Sequence, residues 1–160
     1  MTPPPQDAAR IALEFLTEAY EGPPEGWSWF VNAAPDAGVF GAIEPLTAAQ
    51  ASRPLAPGGR SIAAHAEHLR WSLDLTDRTL RGAPWNPDWE QSWTVRTVTD
   101  EQWAALKAAL RDAYGRVKAT LESGPDLSNP MMLRGVCALA PHAAHHLGTI
   151  RTIAKVVTEG

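Results

Sequence analysis

The five histidines of this chain fall into two short clusters. One cluster holds His65 and His68, and the other holds His142, His145 and His146. Histidine is the commonest metal ligand in proteins and changes charge near neutral pH. Clustered histidines therefore have two interpretations, a divalent-metal site or merely a polar helix face, and the spacing within each cluster bears on the choice.

The spacing of His142 and His146 favours a shared ligand. Side chains four positions apart on an α-helix lie one turn above each other, with Cβ atoms about 6 Å apart. Two imidazoles placed in this way can converge on one ion at metal–nitrogen distances of about 2.0–2.1 Å. His145 is rotated by about 60° from His142 and about 100° from His146, which makes it the less favourable partner.

The other cluster could supply a third ligand. His65 and His68 are three residues apart, so on a helix both project to a similar side. On the helical wheel His65 lies closer to the apolar stripe of Ile62, Leu69 and Leu73, and His68 lies at the edge of this stripe, where a ligand lining a cleft is expected. The wheel alone does not choose between them. Three histidines leave one or more coordination positions for water or substrate, which is the pattern of a catalytic metal site.

Other residue types offer weaker chemistry. The sequence contains no serine or cysteine nucleophile motif, no phosphate-binding glycine loop and no CxxC pair. The single cysteine, Cys137, is rotated by about 140° from His142, so we expect a small core residue and not a ligand. We expect Glu67 to be a solvated carboxylate, with a supporting or general-base role as the alternative. No residue stands out as a proton shuttle, and catalytic residues stay unassigned.

Four long amphipathic segments are predicted to be helices, and they place the two clusters on the second and fourth. Ser61 is the expected N-cap of the second helix. Thr99 and Gln102 have the spacing of a capping box at the start of the third, and Asn129 followed by Pro130 is typical of a helix start. The predicted bounds of the four helices are about 6–20, 61–81, 99–123 and 129–157.

The connections between these helices differ in length. Residues 27–44 read as irregular, and Thr47 with Gln50 predicts a short helix by its capping-box spacing. A loop of roughly fifteen residues between the second and third long helices carries Trp85, Trp89 and Trp93, which could wall a pocket above a metal; long loops in compact domains are often functional. We expect most of the seven tryptophans to pack in the core or in a dimer interface.

The composition describes a globular protein and excludes several classes of partner. The chain has 160 residues, 44% apolar and 20% charged, with a net charge of −4. This length suits a single domain, 1–160, and four long helices predict an all-α four-helix bundle. The absence of a lysine/arginine cluster argues against nucleic acid and anionic membranes. Without a signal peptide, a membrane-spanning run or a possible internal disulfide, we expect a cytoplasmic protein.

Two motifs carry a resemblance to a known family. The stretch 61–69, SIAAHAEHL, resembles the first motif of the DinB-like (DinB/YfiT-like) family of proposed metalloenzymes, and 142–151, HAAHHLGTIR, resembles the second. The loop 82–93 and the segment 100–103 are similar to a subgroup. The resemblance extends from about residue 6 to 158. It implies a helical bundle in which His68, His142 and His146 bind one divalent metal ion.

The resemblance implies two hypotheses for the function. The first is a metal-dependent enzyme, either a hydrolase that lowers the pKa of a bound water to about 7 or a transferase that uses a low-molecular-weight thiol. The second is a non-catalytic metal-binding or stress-response bundle. Zinc or nickel suits histidine ligands first, with manganese or iron as alternatives. Family members often form homodimers, so we expect a dimer.

Two features depart from the pattern of the family. The extra histidines, His65 and His145, leave the choice of ligands open by one residue. Pro141 comes immediately before His142 inside the predicted fourth helix. Proline removes one backbone hydrogen bond, so a kink is expected there, and this kink could redirect the His142 side chain.

Overall fold

The computed structural model describes residues 5–24, 26–34 and 36–159, with side chains from Asp7 onward. The proline-rich start, 1–4, lies outside these residues. The described chain forms six α-helices and one 3-10 turn, with no strand. The elements are α1 (Pro5–Glu21), α2 (Val39–Ile43), α3 (Ala48–Ser52), α4 (Ile62–Leu80), the 3-10 turn (Gln91–Trp93), α5 (Asp100–Glu122) and α6 (Pro130–Glu159).

The four long helices, α1, α4, α5 and α6, form the predicted bundle. Helix α4 packs against α5 and α6, and α1 packs against the same two helices, while the short α2 and α3 pack against the bundle. Each long helix contributes side chains that are almost fully buried, among them Leu16, Leu69, Leu110 and Ile150. The prediction of an all-α helical bundle is confirmed.

The predicted helix starts form where their side chains can accept backbone hydrogen bonds. The Ser61 hydroxyl accepts a hydrogen bond from the amide of Ala64 at the start of α4. Thr47 and Thr99 each form the predicted capping box, with Gln50 in α3 and Gln102 in α5. These caps satisfy amides that have no partner within the helix, so the local sequence determines where each helix begins.

Ion pairs join α4 to α5. Arg116 of α5 lies against Asp74 of α4, and its Nε atom is 3.7 Å from Asp77. Asp77 is buried and also accepts a hydrogen bond from the Thr120 hydroxyl at 3.1 Å. These contacts fix α4, the helix of the first histidine cluster, on the neighbouring helix.

The carboxylate of Glu18 holds the loop that follows α1. It accepts hydrogen bonds from the Ser28 hydroxyl at 2.8 Å and from the amides of Trp29, Phe30 and Val31 at 3.1, 2.9 and 3.2 Å. Burial raises the pKa of this carboxyl, but the four donors outweigh it, so its pKa lies below the usual value. The backbone amides of this irregular segment thus donate to a charged side chain and not to the carbonyls of a helix or sheet.

Three sequence expectations need correction or refinement. Residues 39–43 form a helix, α2, inside the segment predicted to be irregular; the helix is short, and its N-cap, Gly38, makes no side-chain cap. Cys137 is exposed and not a core residue, because the buried face of α6 passes through Val136, Leu139 and Ala140. Of the seven tryptophans only Trp103 is buried. Packing of the others in a dimer interface stays a prediction.

Among the described residues, no helix is both long enough and apolar enough to cross a membrane.

Candidate metal centre

Helices α4 and α6 bring three histidine side chains together inside the bundle. The Nε2 atom of His142 lies 2.9 Å from Nε2 of His68 and 3.1 Å from Nε2 of His146. His68 and His146 are buried, and His142 is half-buried. The same type of nitrogen from each ring therefore faces a common point, although His68 and His142 are 74 positions apart in the sequence.

The outer nitrogen of His68 contacts a buried serine from the long loop. Ser92 is fully buried, and its Oγ atom lies 2.8 Å from Nδ1 of His68. Ser92 donates its own hydrogen to the carbonyl of Trp89 at 2.6 Å, so it accepts the Nδ1 hydrogen of His68. That arrangement selects the tautomer in which Nε2 carries a lone pair, the form that a metal requires.

The outer nitrogens of the other two rings also face polar groups. Nδ1 of His146 lies 2.9 Å from Nδ1 of His65, and Nδ1 of His142 lies 3.5 Å from the Ser72 hydroxyl. His65, the second histidine of the first cluster, thus sits behind His146 and not among the three converging nitrogens. Each of the three rings has its Nε2 directed inward and its Nδ1 directed to an outer partner.

The surroundings keep these imidazoles neutral. Burial, followed by the neighbouring histidines, lowers the pKa of His68 to about 4 and that of His146 to about 2. Burial and the nearby Arg60 lower the pKa of His65 to about 4, and burial also lowers that of His142. Neutral imidazoles present the lone pairs that metal binding needs.

Aromatic rings from the long loop cover the group. The indole of Trp93 stacks on the His68 ring, with centroids 4.0 Å apart and planes 11° apart. Trp89 lies 6.0 Å from the same ring and 5.3 Å from Trp71. Trp85 lies further out, 6.3 Å from Trp89 and half exposed. Trp93 therefore lies beside the histidines, and Trp85 belongs to an outer rim.

The remaining residues that the sequence singled out do not contribute to the three converging nitrogens. His145 is exposed, with its ring centroid 5.0 Å from that of His146, and Cys137 is exposed as well. Glu67 is not the solvated carboxylate that we expected, because both of its oxygens pair with Arg70 at 2.7 Å. Helix α6 is continuous through Pro141, so the kink expected there stays a prediction.

Sequence reasoning missed two polar residues of this region, Ser72 and Ser92. Ser72 lies four positions after His68 on α4, so helical spacing could have indicated it. Ser92 gave no local signal, since it lies in the 3-10 turn of the long loop, 24 positions from His68. Only the fold, therefore, identifies Ser92 as a partner of His68.

The donor set fits a metal cation. When His68 and His146 carry their protons on Nδ1, the Nε2 atom of each ring directs a lone pair at Nε2 of His142. A neutral His142 has only one N–H hydrogen, so it can form a hydrogen bond with only one of these two nitrogens. Two nitrogens bound to one ion at about 2.0–2.1 Å lie about 3 Å apart, and Nε2 of His142 lies at 2.9 Å and 3.1 Å from the Nε2 atoms of His68 and His146. The three-histidine group could therefore hold a metal ion, and the fold and site together define an all-helical bundle with a candidate three-histidine metal centre.

The family follows from comparison with known proteins. The sequence model of the DinB superfamily matches residues 37–150 of this chain. The match covers more than half of the chain and includes all five histidines, so the chain belongs to the DinB superfamily. No curated protein and no solved structure matched this chain.

Proposed function

We propose that this protein is a metal-dependent enzyme that holds one divalent ion with Nε2 of His68, His142 and His146 and acts on a small molecule. The convergence of the three Nε2 atoms, with a polar partner behind each ring, carries the proposal. Three protein ligands leave further coordination positions open, which is typical of catalytic sites. Zinc or nickel suits these ligands best, with manganese or iron as the other candidates.

The surroundings of the site favour one kind of reaction. An ion held there would lower the pKa of a bound water or thiol and so supply a nucleophile near neutral pH. Glu67, the acidic residue next to His68 in the sequence, is paired with Arg70 and offers no free base. A thiol, with an ordinary pKa of about 8.5, needs less help than water to ionise. We therefore propose a transferase that uses a low-molecular-weight thiol first, and a hydrolase second.

Metal content tests the binding part of this proposal. Untagged protein, purified without a metal resin and assayed by elemental mass spectrometry, is expected to hold about one zinc, nickel or manganese ion per chain. His142→Ala and His146→Ala should each lose the ion while keeping the helical circular dichroism spectrum. His145→Ala is the matched control, because His145 is exposed on the same helix and should keep the ion. Stoichiometric metal in His142→Ala would overturn the site.

Activity tests the catalytic part separately. The metal-loaded protein should accelerate the loss of free thiol from a mixture of a small thiol and an electrophilic acceptor, and His142→Ala should not. Hydrolysis of an ester substrate in the absence of thiol would favour the hydrolase. Full metal occupancy without either reaction would favour the alternative, a non-catalytic metal-binding or stress-response bundle.

We also propose that the protein works as a cytoplasmic homodimer. The exposed aromatic side chains of Trp27, Trp29 and Phe30 support an interface of some kind, since large apolar groups are seldom clustered on a free surface. Light scattering coupled to size-exclusion chromatography should give twice the chain mass. A monomer at all concentrations would contradict the dimer.

A further inference from the structure

A cavity of about 340 Å³ lies beside the three-histidine group. Its walls come from the end of α3, the loop before α4, the first turn of α4 and the segment that follows the 3-10 turn. A second, outer cavity of about 470 Å³ shares Arg60, Trp93 and Arg96 with it. These three residues therefore line both spaces, and the two arginines give them a positive charge.

The guanidinium groups of Arg60 and Arg96 are free to take a ligand. Among the described residues neither group has an ion pair or a side-chain hydrogen bond, in contrast to Arg70, which pairs with Glu67 and Asp74. Glu90 lines the outer cavity but pairs with neither arginine. Arg60 is held instead over the indole of Trp93, with its Cζ atom 3.7 Å from the ring centroid. A guanidinium stacked on an aromatic ring keeps its hydrogen-bond donors available in the ring plane.

Hydrogen bonds fix the segment that carries Arg96. The Ser61 hydroxyl donates to the Arg96 carbonyl at 2.7 Å, and the Ser52 hydroxyl accepts from the Val98 amide at 2.9 Å. These two serines tie the segment to the start of α4 and to α3. The N-terminus of α4 also faces the cavity, and its helix dipole adds to the positive potential.

The cavity and the three-histidine group share a wall, the indole of Trp93. His68 stacks on this ring at 4.0 Å, and Arg60 lies over it at 3.7 Å. Both groups cannot fit on one face at these distances, so the indole separates them. A small molecule that reaches around the edge of Trp93 can therefore contact both sites.

We propose that Arg60 and Arg96 form an anion-binding subsite for the carboxylate or phosphate group of a small molecule. Arginine binds both groups through paired, charge-assisted hydrogen bonds. The other end of the same molecule lies at the three-histidine group, and this last point rests on the proposed function. The binding of the anion by itself does not depend on it.

Ligand-detected nuclear magnetic resonance with two probes, benzoate and phenyl phosphate, tests the subsite. Saturation transfer to the aromatic protons of each probe gives its dissociation constant. We expect at least one probe to bind the wild type, and Arg60→Gln and Arg96→Gln each to weaken binding by about tenfold or more. The tighter probe identifies carboxylate or phosphate as the preferred group. Arg134→Gln is the matched control, because this exposed arginine on α6 lines neither cavity.

The His142→Ala variant separates this proposal from that of the metal centre. Unchanged probe binding in His142→Ala, together with loss in both arginine variants, supports the subsite even if no metal is found. Binding that is lost in His142→Ala but kept in the arginine variants would place the anion at the histidines and overturn the subsite. Absence of binding by either probe to folded wild-type protein would overturn it as well.

Discussion

Nδ1 of His65 lies 2.9 Å from Nδ1 of His146, which places the two histidine clusters in direct contact on the outer side of the candidate metal centre. His68 instead directs its Nε2 atom to Nε2 of His142 at 2.9 Å. The two histidines of α4 therefore have different positions, one among the converging nitrogens and one behind them.

This difference predicts a ranking of two variants. His68→Ala should abolish metal binding, since it removes a converging nitrogen. His65→Ala should weaken metal binding by about 10–100-fold without abolishing it, the usual effect of losing the partner behind a ligand. Competition with a fluorescent chelator measures both affinities. The reverse ranking would mean that His65 is the ligand and His68 the supporting residue.

Ser92 should affect metal binding through its contact with His68. Ser92→Ala leaves Nδ1 of His68 and the Trp89 carbonyl without their buried partner. We expect about tenfold weaker metal binding and a loss of about 1–3 kcal/mol in the free energy of unfolding. Thr94→Ala is the control, because its hydroxyl makes a similar local bond to the Gln91 carbonyl without touching a histidine. Equal effects in the two variants would rule out a role for Ser92 in orienting His68.

Glu18 should make the stability of the fold depend on pH. Its pKa in the folded chain lies below the usual value, so its ionised form stabilises the fold above the unfolded pKa of about 4.3. This contribution is lost as the pH falls through the folded pKa. Glu18→Gln should lower the free energy of unfolding by about 2 kcal/mol at pH 7. It should also make the free energy of unfolding fall less steeply as the pH is lowered. Urea unfolding between pH 3 and 7 measures both effects.

The control for this experiment is Glu122→Gln at the exposed end of α5, which removes the same charge without removing a buried acceptor. It should leave the profile close to that of the wild type. If the free energy of unfolding falls equally steeply with decreasing pH in Glu18→Gln and in the wild type, other carboxyl groups determine the acid sensitivity.

The tryptophans should differ sharply in their effect on stability. Trp103 is buried, and its Nε1 atom donates to the Leu46 carbonyl at 2.8 Å. Trp103→Phe leaves this carbonyl unpaired and should cost about 1–3 kcal/mol. Trp85 is half exposed, so Trp85→Phe should change the free energy of unfolding by less than about 0.5 kcal/mol. Urea midpoints of the two variants compare them directly, and equal midpoints would contradict the assignment of Trp103 to the core.

Local chemistry explains why much of the bundle could be predicted. Ser61, Thr47 and Thr99 begin helices at the expected positions, because each side chain accepts a nearby amide hydrogen whatever the rest of the fold does. These features depend on residues within one or two turns, so they can be read from the sequence.

Features that depend on distant contacts could not be predicted in this way. The wheel left His65 and His68 undecided, and their different positions arise only because His146 and Ser92 approach α4 from other elements. Glu67 is a different case, because its partner Arg70 lies only three positions further along α4, so helical spacing could have indicated this ion pair. The prediction for Cys137 rested on the general tendency of cysteines to be buried, but the rotation of α6 about its own axis leaves this side chain exposed.

The separation of 74 positions between His68 and His142 has a consequence for folding. Neither α4 nor α6 alone contains three converging histidines, so an ion with all three ligands can bind only after the two helices have docked. Such an ion would act as a reversible cross-link that closes a long loop of the chain, much as a disulfide does in an oxidising environment. Chelation would then open the cross-link without cutting any covalent bond, and the mechanical resistance of the bundle to unfolding would follow the free metal concentration around it.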